Sequence, residues 1–109
     1  MYEDSVAIFI NKDRSVYVPN AFSPNGDGIN DLLFASTKIP RQILYFRIFN
    51  RWGAVVFEHK DGFTNDPRFG WNGIFKGETV NNGVFVYDLL LVYPDGVEQQ
   101  ISGDITVIK

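Results

Sequence analysis

The chain lacks several features on which whole classes of function depend. It has no cysteine, which excludes disulfides, zinc–thiolate sites and thiol chemistry. Its one histidine, His59, lies in a polar stretch and is expected to be a solvated loop residue. No nucleophile motif of the G-x-S-x-G type occurs, so we do not expect an enzyme. No apolar run reaches the roughly 20 residues of a membrane helix, and no direct membrane insertion is expected.

Basic charge is also scarce. Ten lysines and arginines stand against 13 aspartates and glutamates, which gives a formal net charge of -3. The basic residues are scattered singly, so they form no cationic face for a phosphate backbone or an anionic membrane. We therefore expect no nucleic acid partner.

Apolar and aromatic residues are abundant. They make up 45% and 16% of the chain, with ten phenylalanines and five tyrosines, which is too apolar for a disordered segment. A chain of 109 residues can bury one core. We expect residues 1–109 to form one monomeric domain, with residues 1–12 as the entry strand from an upstream region.

The hydrophobic pattern has a period of two and is interrupted by turn residues, which is typical of β-strands. Short strands are predicted over residues 6–10, 15–19 and 32–35, and longer ones over 43–50, 84–93 and 97–108. In the strand over 43–50 we expect Leu44, Phe46 and Ile48 to share one face. In the strand over 84–93, the residues expected on one face are Phe85, Tyr87, Leu89, Leu91 and Tyr93.

Turn signals connect these strands. Asn50 to Gly53 predict a turn that closes a hairpin onto residues 54–58, because Gly53 can adopt a positive φ. Residues 59–68 are polar and are predicted to be a surface loop. The pattern indicates an all-β, immunoglobulin-like antiparallel β-sandwich of about seven or eight strands, with an open barrel as the alternative.

The segment 19–31 has a high density of oxygen ligands. Two glycines let its backbone curl around a cation, and four side chains are candidate calcium ligands: Asn25, Asp27, Asn30 and Asp31. The match to an EF-hand loop is incomplete, because Phe34 stands where the bidentate glutamate belongs. Asparagine and aspartate also bond their own backbone in turns, so a metal-free loop explains the same residues.

The two tryptophans, Trp52 and Trp71, each lie in a turn. We expect them to plug the end of the core or clamp a loop, with the indole N–H bonded to a carbonyl. Exposed tryptophans would instead form a sugar platform, and the chain would be a carbohydrate-binding module. Exposure distinguishes the two interpretations.

Five segments in order resemble the gliding motility-associated C-terminal domain, the type B C-terminal sorting domain of type IX secretion substrates in Bacteroidetes. They are VPNAFSPNGDGIND at residues 18–31, IFNRWG at 48–53, WNG at 71–73, GVFVY at 83–87 and GDITV at 103–107. The resemblance covers nearly the whole chain. Asn72 stands where the family often has aspartate, and Phe85 where it often has tyrosine.

The resemblance implies a sorting domain that routes a larger, adhesin-like protein through the type IX translocon to the cell surface, the outer membrane or the medium. It implies recognition in folded form by a PorP/SprF-like outer-membrane protein. The candidate recognition residues are Asn20, Phe22, Asn25, Asp27, Asn30, Asp31, Asn50, Arg51, Trp52 and Trp71. The same motifs could serve folding alone, and a structural or carbohydrate-binding module of an adhesin is the alternative function.

Overall fold

The computed structural model describes residues 15–26 and 31–109, and in these ranges the regular structure is β-strand apart from a 3-10 turn at Pro67–Phe69. The strands are β1 Val16–Tyr17, β2 Ala21–Phe22, β3 Ser36–Thr37, β4 Gln42–Phe49, β5 Val55–Phe63, β6 Ile74–Phe75, β7 Glu78–Thr79, β8 Gly83–Val92 and β9 Glu98–Val107. Within this part of the chain, no helix is long and apolar enough to cross a membrane. The predicted strand over 6–10 and the entry strand over 1–12 lie outside the described residues.

Five strands form the main sheet, in the order β2-β9-β8-β4-β5. Its pairs are antiparallel except β2 with β9, where Ala21 and Phe22 lie parallel to Thr106 and Val107. Two small antiparallel pairs, β1–β3 and β6–β7, and a bridge between Leu33 and Trp71 complete the structure. The predicted all-β sandwich is confirmed, with nine strands in the described part rather than seven or eight and with one parallel pairing in the main sheet.

The core lies on the inner face of the main sheet. The alternation predicted for β8 is confirmed, because all five residues expected on one face are buried. Leu33, Ala35 and Trp71 reach this core from outside the main sheet. The apolar side chains of both layers thus meet in one cluster, whose burial is the main source of stability.

The prediction for β4 is wrong at one position. Ile43, rather than Leu44, is buried on the same face as Phe46 and Ile48. The register between β4 and β8 shifts between Ile43 and Tyr45, so one extra residue is accommodated there as a β-bulge. A bulge reverses the order of faces beyond it, which a simple period of two does not anticipate.

The predicted loop over residues 59–68 is also wrong in its first half, because β5 continues to Phe63. His59 is consequently a half-buried strand residue, and its ring lies 4.7 Å from that of Phe69. β5 is an edge strand of the main sheet, and its solvent-facing positions carry charged residues such as Glu58 and Lys60. Because its exposed positions are charged, the sequence of such an edge strand is as polar as that of a loop.

The strand directions bring the sequence motifs to one end of the main sheet. β2, β4 and β9 end there, and β5 and β8 begin there. We call this the motif end; it consists of residues 23–26 and 31, the turn 50–54, residues 72–82 and residues 108–109. A hydrogen bond of 3.0 Å from the Lys109 backbone N–H to Asn82 Oδ1 joins two of these segments.

Candidate functional site

The turn between β4 and β5 is held by Asn50. Its Oδ1 accepts hydrogen bonds of 3.0 Å from the backbone N–H groups of Trp52 and Ala54. Gly53 has a φ of 84° and donates its N–H to the carbonyl of Asn50. The predicted hairpin turn is confirmed, and Asn50 and Gly53 fix its shape.

Trp52 projects from this turn into solvent. Its side chain is 76% exposed, and the Arg51 guanidinium lies 4.6 Å from the ring centroid. The expectation that Trp52 plugs the core is therefore wrong. Trp52 instead lies at the tip of the hairpin turn, whose backbone Asn50 fixes through the N–H groups of Trp52 and Ala54.

Trp71 has the role expected of a buried tryptophan. It is 1% exposed, and its indole N–H donates to the carbonyl of Ile74 over 3.1 Å. Its ring centroid lies 5.5 Å from those of both Phe22 and Phe85. Phe22 and Trp71 thus lie inside the domain, where their side chains are not available to a partner that meets the folded surface.

The loop after β2 is closed by Asp31. Its Oδ1 accepts hydrogen bonds from the backbone N–H groups of Asn25, over 3.2 Å, and Gly26, over 3.0 Å. Asn20, before β2, is exposed and accepts a hydrogen bond from the Thr106 N–H at its carbonyl. The structure therefore brings Asn25 and Asp31 together at the motif end, and Asn20 lies beside the end of β9.

Calcium binding in this loop stays a prediction. Asp27 and Asn30 lie outside the described residues, and within the described ranges no group of three or more histidine, cysteine, aspartate or glutamate side chains could hold a metal. Calcium titration of the EDTA-treated domain tests it. A rise in melting temperature would establish a calcium site, whereas an unchanged value would leave the hydrogen-bonded turn as the explanation.

A groove of about 340 Å³ lies beside Trp52 at the motif end. Apolar residues such as Val56, Phe75 and Phe85 line part of it, and Glu78 and Asn81 contribute polar groups. Phe75 and Glu78 were not among the predicted site residues, since residues 74–79 form a small hairpin of two-residue strands with no distinctive pattern. In this region of the sequence, only the neighbouring turn residues form a recognisable pattern.

The side chains at the centre of the outer sheet face are polar and bond to one another. Arg47 Nε donates to Glu58 Oε2 over 2.6 Å, and this hydrogen bond lowers the pKa of Glu58. Desolvation, reinforced by the neighbouring carboxylate of Asp88, raises the pKa of Tyr45. These charged groups already have partners inside the domain, so they attract another protein less strongly than an unpaired patch would.

The sequence matches the family described as CHU_C, type IX secretion signal domain, over residues 16–107. The chain belongs to this family. A type IX secretion signal directs export, so this chain carries the sorting signal of a secreted or cell-surface protein. This signal interacts with the type IX machinery. The family is a secretion signal family and not a catalytic one.

The fold is shared with a solved structure of another kind. The crystal structure of CopC from Methylosinus trichosporium OB3b is similar with a TM-score of 0.54 and 14% sequence identity, over 85% of this chain and 88% of that one. At this identity the likeness concerns the fold alone. A search of curated proteins gives no match.

Most described motif residues of this type IX secretion signal have a structural role. Gly73 has a φ of 81° and packs so closely on Pro24 that an added Cβ would lie 2.7 Å from its ring. Gly103 lies under Tyr87, whose ring would be 2.9 Å from an added Cβ. Arg51 and Trp52 are the largest exposed side chains among the described motif residues, and they stack on each other outside the core.

Proposed function

We propose that this domain is a folded export address at the C-terminus of a larger, adhesin-like surface protein. A PorP/SprF-like outer-membrane protein binds the motif end, and Trp52 and Arg51 lie at the centre of the surface that it contacts. The observation that carries the proposal is the exposure of Trp52 in a turn that the rest of the motif holds rigid.

The physical support is that an exposed tryptophan lowers the stability of the free domain and can contribute strongly to binding. A large indole in water loses the burial free energy that a core position would give, on the order of 2–3 kcal/mol. Tryptophan and arginine are the side chains that most often dominate the binding energy of protein interfaces. Because Asn50 already fixes the turn, a partner would lose little conformational entropy in ordering it.

The neighbouring surface extends this site. Val84 lines the same groove as Trp52, and Val55 and Val86 lie on either side of Phe49 at the beginning of β5 and β8; all three valines are more than 40% exposed. Val84 adds an exposed apolar side chain to the groove beside the tryptophan. A partner that covers Trp52 and these valines would bury several exposed apolar side chains at the same end of the sheet, and exposed apolar surface is a feature of interaction sites.

An export assay tests this proposal. Residues 1–109 are fused behind a signal peptide and a fluorescent protein in a gliding Bacteroidetes host, with and without the coexpressed outer-membrane partner. We expect export that requires the domain, the type IX machinery and the partner. Retention of the fusion in the periplasm despite the partner would refute the address role.

A matched pair of variants tests the surface. Trp52→Ala should reduce export at least about tenfold, since hot-spot residues are worth 2 kcal/mol or more. The control is Phe63→Ala, because Phe63 is 51% exposed and lies at the opposite end of the main sheet. Equal export of the two folded variants would show that the recognised surface does not include Trp52.

The exposure of Trp52 also favours a second candidate function, glycan binding. Indole faces stack on sugar rings, and Glu78 and Asn81 in the adjoining groove offer hydrogen bonds to hydroxyl groups. Glycan-array binding that Trp52→Ala abolishes, together with export that the same change leaves intact, would favour this function over the address role. Trp71 is excluded as a platform by its burial.

A further inference from the structure

One long edge of the main sheet lacks a paired strand within the described residues. β9 pairs with β8 along all ten of its residues, but on its other side only Thr106 and Val107 pair with β2. Residues 98–104 of β9, which we call the open edge, therefore have no neighbouring strand in residues 15–26 and 31–109.

The backbone groups of the open edge point outward in a regular row. Thr106 donates its N–H away from β8, to the carbonyl of Asn20. In an extended strand every second residue points its N–H in the same direction, so those of Gln100, Ser102 and Asp104 point to the open side. Their side chains are exposed as well. This row has the geometry with which a strand pairs.

The open edge lacks most of the features that block strand pairing, and its charged residues are confined to its two ends, Glu98 and Asp104. Residues 98–104 contain no proline and no lysine, and their register with β8 is unbroken. The opposite edge, β5, has a register shift near Val55, a residue with positive φ at Asp61 and a lysine at position 60. Proteins usually block exposed edges in this way, so the regularity of the β9 edge needs a reason.

We propose that the open edge is a docking site for an extended strand of the export partner, which joins the main sheet beside β9. This inference rests on the proposed function and specifies how the partner binds. Main-chain hydrogen bonds to three outward amides would supply affinity with little dependence on side chains. The remaining specificity would come from charge.

Charge selects the kind of strand that fits. Glu98 and Asp104 are exposed at the two ends of the open edge, roughly 20 Å apart along the strand. If two copies of this chain paired antiparallel with residues 98–104 fully overlapping, Glu98 of one would face Asp104 of the other, which is unfavourable. The site therefore favours a partner strand with lysine or arginine near both ends over a second copy of this chain.

Hydrogen exchange tests whether the edge is open. In the free domain, the amides of Gln100, Ser102 and Asp104 should exchange at least about tenfold faster than those of Ile101 and Gly103, which face β8. Equal protection of both sets would show that the edge is already covered in the free chain. That result would overturn the proposal without any reference to export.

The export assay then tests the edge in the working system. Ser102→Pro removes one outward N–H and leaves the pairing with β8 intact, because proline is tolerated on the free side of an edge strand. We expect export to fall at least about tenfold, with a melting temperature near that of the parent domain. Ser102→Ala keeps the amide and should be exported normally.

The outcomes separate the edge from the address role. Normal export of a folded Ser102→Pro variant would overturn the edge proposal and leave the sorting function standing, whereas failure of the parent fusion would refute both. If Ser102→Pro does not fold, Glu98→Lys with Asp104→Lys provides the second test, since it reverses the end charges without changing the backbone. Normal export of that folded variant would overturn the edge proposal.

Discussion

The two motif tryptophans should respond in opposite ways to the same substitution. Trp71 is buried among Phe22 and Phe85 and bonds a backbone carbonyl, so Trp71→Ala leaves a large cavity and an unpaired acceptor. Changes of this kind cost about 3–5 kcal/mol. Trp52 contacts Arg51 outside the core, and Trp52→Ala should cost less than about 1 kcal/mol.

These magnitudes translate into a clear thermal difference. For a domain of this size, 1 kcal/mol corresponds to roughly 4 °C in melting temperature. Trp71→Ala should then melt roughly 12–20 °C lower than the parent, or not fold at all, because the total stability of such a domain is about 5–15 kcal/mol. Trp52→Ala should melt within about 4 °C of the parent.

Circular dichroism during heating, with urea titration as the equilibrium measurement, checks both values. Trp71→Phe is an informative intermediate, because it keeps a ring in the core and removes the indole N–H; it should cost about 1–3 kcal/mol. A small loss for Trp71→Ala, or equal losses at the two tryptophans, would refute the assignment of one to the core and the other to the surface.

Three further predictions concern the turns and the acid stability. Asn50→Ala should cost about 1–2 kcal/mol in urea unfolding, since it removes the acceptor of two backbone N–H groups, whereas Asn50→Asp keeps that acceptor and should cost less. Gly73→Ala should cost about 1–3 kcal/mol in the same assay, because it combines a positive φ with a steric clash; an unchanged midpoint would contradict this. Arg47 lowers the folded-state pKa of Glu58 below 4.5, so the stabilisation by this pair is present above pH 4.5 and is lost as the pH falls through the folded-state pKa. The stability difference between the parent and Glu58→Gln should therefore shrink in melting curves below pH 4.5, and a difference that stays constant would contradict the pairing.

Long strands and the central hairpin could be predicted from the sequence because their signals are local. The alternation in β8 and the turn from Asn50 to Gly53 depend on neighbouring residues, and both are confirmed. The bulge near Leu44 and the second half of β5 depend on what the partner strand does. The pattern within one strand carries no information on its partner, so neither the bulge nor the second half of β5 could be predicted from the sequence.

The candidate site was predictable in position but not in the roles of its members. The motifs indicate which turns to inspect, and the structure brings those at residues 23–26, 31 and 50–54 to the same end of the sheet. Whether a motif residue faces the core or the solvent is decided by tertiary packing. Trp52 and Trp71 both precede turn-forming residues in the sequence, yet one lies exposed in a hairpin turn and the other is buried in a bridge with Leu33.

The structural role of most motif residues affects how export experiments should be interpreted. Replacing Trp71, Gly73 or Asn50 should lower the stability of the domain and can reduce export for that reason alone, even if a partner never touches these residues. Arg51, Trp52 and the backbone of residues 98–104 are different, since changes there leave the core intact. Export and melting temperature measured on the same variants therefore separate recognition from folding, and a residue belongs to the recognised surface only when export falls and stability does not.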